Sequence, residues 1–215
     1  MNQPIPRRVG VSPGAEGAAM PFAKAAIARG HIIAFPTETF YGLGADPARE
    51  DAVAAIFAAK GRSPGEALPL IAADTDAARG VAAVWSETAE RLAAAFWPGP
   101  LTLVVPVRGG AVVAGVTAGR DTIAVRVTGH PLARVLAASA PAGVLTATSA
   151  NRSGSPALTT ADEVERALGL GVALIVDGGP SPGGLASTIV DLSDGLPRLI
   201  RPGPVPYDRV LEFLR

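Results

Sequence analysis

Short apolar runs alternate along this chain with stretches of helical period, and the two patterns set out most of the fold. Residues 31–35, 68–72, 101–107, 122–127, 144–147, 173–176, 188–192 and 198–200 read as strands. The first helix is expected from Met20 or Pro21 to Arg29, where Gly30 stops it. Asp46-Pro47 is expected to open a second, with Asp as N-cap and Pro at the first helical position. On it Val53, Ile56, Phe57 and Lys60 share one side, which packs the Lys60 stem and directs its ammonium outward. Further helices are expected over 74–81, 86–96 (capped by Ser86), 131–140 and 207–214. Thr160-Ala161-Asp162-Glu163 has capping-box spacing and starts another to about Leu168. Some strands follow one another with no helix between them, so the fold class is α/β (α+β), a twisted mixed parallel and antiparallel sheet with packed helices. Residues 1–15, rich in Pro and Gly, read as a loose N-terminal arm, and residues 16–215 as one domain.

Two polar stretches interrupt this pattern directly after strands: Pro36-Thr37-Glu38-Thr39-Phe40-Tyr41-Gly42-Leu43-Gly44 and Ser149-Ala150-Asn151-Arg152-Ser153-Gly154. Loops at strand ends are where α/β proteins build ligand sites. Two such loops of different small-polar chemistry predict a small polar molecule held between them.

Composition narrows the chemistry. Hydrophobic residues make up 48% and charged residues 18%, enough for a sizeable core. No apolar run approaches the ~18 residues of a membrane span, and no signal peptide is legible, so a cytoplasmic location without membrane partners is expected. With no cysteine there are no disulfides, thiolate nucleophiles or Cys-based metal sites. His31 and His130 read as boundary residues, and no metal site is expected from side chains. Phosphate-loop, dinucleotide and nucleophile-elbow motifs are absent. Net charge is zero, so there is no global pull on nucleic acid. Yet among 19 basic residues only Lys24 and Lys60 are lysines, and Lys60 stands beside Gly61-Arg62. Either chance put it there or a compact ammonium is needed.

Thr122 and Arg126 share alternation parity on an apolar strand and therefore a face. Such an arginine is either exposed at an edge or paired with an anion, because an unpaired buried guanidinium is costly. Ser187-Thr188 and Arg201-Pro202-Gly203 place hydroxyls and a cation at further element ends. Cations with hydroxyls, and no histidine base, suit a polyphosphate beside a small zwitterion.

The Pro36–Gly44 run, Lys60-x-Arg62, Trp97-Pro98-Gly99-Pro100-Leu101-Thr102, Thr122–Arg126, Ser149-Ala150-Asn151, Ser187-Thr188-Ile189 and Arg201-Pro202-Gly203 occur in the order seen in YrdC-like threonylcarbamoyl-AMP synthases. The chain resembles that family over about residues 20–206. The resemblance implies a concave, positively charged cavity and a reaction of ATP, L-threonine and bicarbonate or CO2 that gives threonylcarbamoyl-AMP and pyrophosphate, with Mg2+ bound alongside ATP. It implies threonine contacts at Thr37, Arg126 and Ser187. It implies ATP contacts at Lys60, Arg62, Thr122, Ser149, Asn151 and Arg201, with Lys60 and Arg62 catalytic and Asn151 shaping its loop. Implied partners are tRNA and the downstream threonylcarbamoyl-transferase proteins. The chain departs from the family pattern at Ser63, at a longer 63–69 loop, at Ala72-Ala73 where some members carry histidine, and at Ala157 where many carry serine. It reads as the short form, without a C-terminal extra domain. Two competing expectations are a double-stranded RNA or tRNA-binding module of the same fold and a carbamoyl-transfer domain of the hydrogenase-maturation kind.

Overall fold

The computed structural model describes residues 7–63 and 65–214. In chain order the strands are β1 (Arg8–Gly10), β2 (Ile33–Phe35), β3 (Gly42–Gly44), β4 (Leu70–Ala72), β5 (Leu101–Pro106), β6 (Thr122–Val127), β7 (Val144–Thr146), β8 (Thr148–Ser149), β9 (Leu174–Asp177), β10 (Thr188–Asp191) and β11 (Arg198–Arg201). The helices are α1 (Met20–Ala28), α2 (Glu50–Lys60), α3 (Thr75–Val81), α4 (Glu87–Phe96), α5 (Ala114–Thr117), α6 (Pro131–Ala137), α7 (Ala161–Leu168) and α8 (Tyr207–Leu214).

Two mixed sheets form, rather than one. The first has the order β1-β9-β2-β3-β8 and the second β11-β10-β5-β6-β4-β7. In the first, β9 pairs parallel with β1 and β2, while β3 runs antiparallel to β2 and β8. In the second, β5 is parallel to β10 and β4 to β6, and the other pairings are antiparallel. The short apolar runs are continuous rather than alternating because several strands are covered on both faces. On β2, Ile33 and Phe35 join one core cluster with Ile27 of α1 and Leu136 of α6, while Ala34 joins another with Ile56 of α2 and Leu92 of α4. On β4, Leu70 and Ile71 are divided in the same way.

Capping sets the helix starts. The Asp74 carboxylate accepts from Ala77 N at 2.8 Å and the Ser86 hydroxyl from Ala89 N at 3.1 Å. Thr160 and Glu163 form the expected capping box on α7. Asp46-Pro47 does not open α2. The Asp46 side chain accepts from Ala48 N at 2.9 Å in a turn, and the helix begins at Glu50, where two acidic residues meet its N-terminal dipole.

Residues 8–10 correct the expected loose arm, since they pair with β9. The strand is pinned because the Arg8 guanidinium lies between Asp177 (2.7 Å) and Asp162 (2.5 Å). Residues 1–6 of that expected arm lie outside the described residues. Among the described residues, no helix is long and apolar enough to cross a membrane.

Candidate active site

A cavity of about 780 Å³ opens between the two sheets. Strand alternation builds one wall. Thr102 and Val104 on β5, Thr122, Ala124 and Arg126 on β6, and Ile189 and Asp191 on β10 all face it. Their neighbours Leu103, Ile123, Val125 and Val190 point into the core. Thr37, residues 39–42 and Ser149 contribute the opposite wall from the first sheet, and Arg62, Ser187 and Arg201 close the ends. Of the expected site residues, Thr37, Arg62, Thr122, Arg126, Ser149, Ser187 and Arg201 therefore line one hollow.

The loop after β2 is held by its own hydroxyls. Thr37 Oγ1 donates to Phe40 O at 2.7 Å and accepts from Thr39 N at 3.2 Å, so the chain turns sharply into β3. Glu38 leaves this turn toward the end of β6. Its Oε1 accepts from Arg126 Nη1 and from Gly129 N (3.2 Å), and its Oε2 accepts from Thr128 Oγ1. The open question about Arg126 is answered here: it is buried, and its anion is Glu38. Burial raises the Glu38 pKa, but Arg126, the Thr128 hydroxyl and backbone N–H groups outweigh it and hold the carboxyl below its ordinary range.

At the far end, Arg201 Nε and Nη2 donate to Ser187 O at 3.1 and 2.9 Å, and Nη2 reaches Ser187 Oγ at 3.1 Å. Ser187 Oγ lies 2.8 Å from Thr102 Oγ1. Among the described residues Arg201 has no carboxylate partner; burial first, then the nearby Arg126, lower its pKa. Close approach of backbone is required here. A Cβ on Gly203 would lie 2.3 Å from Thr188 N, so no other residue fits behind the Ser187 turn.

Lys60 and Asn151 lie behind the wall rather than on it, which corrects the outward-directed ammonium. Lys60 is 3% exposed, and its Nζ donates to Ser149 O, to Asn151 O at 2.7 Å and, at 3.4 Å, to Asn151 Oδ1. The Asn151 amide donates to Arg152 O and Ser155 O, tying down the same loop. Burial, followed by the charge of Arg62, pushes the Lys60 pKa down to about 8, with Glu66 opposing. Arg62 itself donates to Thr148 Oγ1 and Ala67 O, both at 3.0 Å.

The sequence reading did not assign site positions to Thr102, Thr128, Arg120 or Arg198. Parity on β5 was the available signal for Thr102. Arg198, at the first position of an exposed edge strand, gave none. Arg198 pairs with Asp191 at 2.7 Å on the cavity wall. His130 does not line the cavity. Its Nδ1 is buried without a partner, and burial lowers its pKa.

The model of the Sua5–YciO–YrdC family, described as telomere recombination, matches residues 25–203. The chain belongs to this family. It is similar to threonylcarbamoyl-AMP synthase of Bacillus subtilis (strain 168), with 41% identity over 189 residues, 87% of this chain and 54% of that protein. The chain thus spans about half the length of this curated relative. It is also similar to threonylcarbamoyl-AMP synthase of Halorhodospira halophila, with 42% identity over 77% of this chain and 86% of that one. The crystal structure of P. abyssi Sua5 complexed with L-threonine superposes with a TM-score of 0.91 at 38% identity, covering 97% of this chain and 61% of that chain.

For a Sua5–YciO–YrdC chain the wall chemistry is informative. Arg62, Arg120, Arg126, Arg198 and Arg201 border the cavity and, among the described residues, Asp191 is its one carboxylate, already engaged by Arg198 and Ser193. Such a surface can neutralise several anionic oxygens. Among the described residues no cluster of His, Cys, Asp or Glu could hold a metal ion.

Proposed function

We propose that this chain is an L-threonylcarbamoyladenylate synthase, joining L-threonine, bicarbonate or CO2 and Mg–ATP into threonylcarbamoyl-AMP and pyrophosphate. The observation that carries the reading is the convergence of Thr37, Arg62, Thr122, Arg126, Ser149, Ser187 and Arg201, from six separate segments, on one cavity. Its volume is of the order that small-molecule and cofactor sites occupy.

In this reading Arg126 grips the threonine carboxylate, and the hydroxyls of Thr37 and Ser187 orient the rest of the amino acid. The threonine nitrogen adds to the carbon of CO2 and loses a proton, giving a carbamate. A carbamate oxygen then attacks the α-phosphorus of ATP and the α–β bridging oxygen leaves with pyrophosphate. Arg62 and Arg201 face the phosphates and stabilise charge as it moves onto the leaving group, with Thr122 and Ser149 as neutral partners. Magnesium enters as part of the nucleotide substrate, held by phosphate oxygens. Lys60 and Asn151 act through the 149–151 loop, fixing the wall against which the nucleotide lies. The product, a mixed anhydride, passes to threonylcarbamoyl-transferase proteins that modify adenosine 37 of tRNA in the cytoplasm.

The test is pyrophosphate release from ATP and bicarbonate with each amino acid in turn. Release that depends on threonine above all others is expected, with serine weaker by ~10–200-fold, the range one methyl group can supply. Salt-dependent RNA binding without threonine-dependent pyrophosphate would instead make the chain an RNA-binding module of the same fold.

A further inference from the structure

Arg126 is anchored from one side only. Its Nη1 donates to Glu38, and among the described residues no other acceptor meets its guanidinium. Its side chain is 9% exposed and borders the cavity, yet none of its nitrogens is a sealed, unpartnered atom. The remaining N–H groups are therefore reached from the cavity. Glu38, by contrast, has both oxygens engaged: Arg126 and Gly129 N share one and the Thr128 hydroxyl takes the other. Glu38 is not on the cavity wall, and Thr128 is completely buried. Arg201, the neighbouring guanidinium, has no carboxylate partner among the described residues and repels Arg126.

From this geometry we infer that Glu38 is a positioning residue: it fixes Arg126 from behind, so that the open edge of the guanidinium stands ready for the carboxylate of the amino-acid substrate. The inference rests on the threonine reading above. Guanidinium has two donor edges, and a carboxylate needs one of them intact and correctly aimed. Glu38 consumes one Nη and leaves the rest. It also cancels one of two adjacent positive charges, which lets Arg126 and Arg201 stay close without an external anion. The Thr128 hydroxyl and Gly129 N–H keep Glu38 from rotating toward the cavity, where it would compete with the substrate carboxylate.

The experiment compares L-threonine with L-threoninol, which lacks the carboxylate, by ligand-observed NMR titration of the full chain and of Glu38→Gln. The variant is expected to bind L-threonine about ten- to a hundredfold more weakly, the range for a charged hydrogen-bond network. Its threoninol affinity and its KM for ATP are expected to match the wild type. Unchanged or tighter threonine binding overturns the inference, since Glu38 would then be idle or a competitor. Equal weakening of threonine and threoninol also overturns it, because Glu38 would merely support the fold. If Glu38→Gln loses its folded circular dichroism, Thr128→Val, which frees Glu38 Oε2, is expected to weaken threonine alone, and no effect there overturns the inference. A wild type that binds no threonine sinks the parent reading and this one with it. Normal wild-type binding with an indifferent variant sinks this one only.

Discussion

Lys60 shows how a single ammonium can matter through the loop it holds. Its three acceptors all belong to Ser149 and Asn151, so its charge holds a loop in place. Burial and Arg62 bring its pKa to about 8 from an ordinary 10.5. Two opposed pH effects follow. Between those two values the unfolded chain binds a proton that the folded chain lacks, so this group's contribution to stability rises with pH. Over the same window the ammonium that anchors the loop is lost, so the proposed turnover is expected to fall. Lys60→Met is expected to lower kcat by roughly a hundredfold, as for loss of a preorganised polar contact. It should also flatten both alkaline trends. Denaturant midpoints and pyrophosphate rates measured from pH 7.5 to 10 check this; a variant whose alkaline profiles still match the wild type would clear Lys60 of the role. Arg126 was partly legible at the same scale: its apolar strand left it either exposed at an edge or paired with an anion, and Glu38, far away in the chain, could be identified as that anion only once the fold brought them together.

At the scale of elements, β3 decides how the first polar loop is attached. Its sequence is Gly-Leu-Gly, and its register sets Gly42 opposite Phe35 and Gly44 opposite Ile33. The Phe35 ring lies over both glycines, and a Cβ on Gly44 would come within 2.7 Å of Phe35 Cε1 and 3.2 Å of Thr146 O. Phe35 is fully buried and has no room to withdraw. Gly44→Ala is therefore expected to cost about 1–3 kcal/mol, the usual penalty of overpacking. Because Phe40–Gly42 line the cavity, turnover should fall with it. Adding Phe35→Leu should make the double variant lose less stability than the two single losses combined, a coupling that chemical denaturation would measure. Strict additivity would show that the ring is not what excludes the methyl. The same packing explains what the sequence hid. Apolar runs such as 122–127 announced their strands, and Ser86 and Thr160 announced their helices through capping chemistry. The strands β3 and β8 did not, because glycines and hydroxyls carry no apolar signal. Their strand character comes from the neighbours that pair with them. The number of sheets was hidden for a related reason: pairing partners are distant in sequence, and one mixed sheet or two give the same local pattern.

Across the whole molecule, Glu38 ties the two sheets together. It leaves the loop that joins β2 to β3 in the first sheet and ends on Arg126, Thr128 and Gly129, at and just beyond the end of β6 in the second. The contact that positions Arg126 thus also joins the two sheets beside the cavity. This gives the acid behaviour a definite sign. The folded-state pKa of Glu38 lies below its ordinary 4.5. Its stabilising contribution is therefore complete above that ordinary value and is lost as pH falls through the folded one. Asp177, held by Arg8, and Asp191, held by Arg198, are depressed in the same direction against the opposing effect of burial, so the whole fold is expected to weaken below about pH 4.5. The share due to Glu38 can be isolated. Glu38→Gln mimics the neutral carboxyl, so wild type and variant should differ in denaturant midpoint at pH 7 and draw together well below pH 4.5. A gap of the same size at both pH values would mean that the charge on Glu38 contributes nothing to holding the sheets together. In that case the hydrogen bonds a neutral side chain can make would account for the tie.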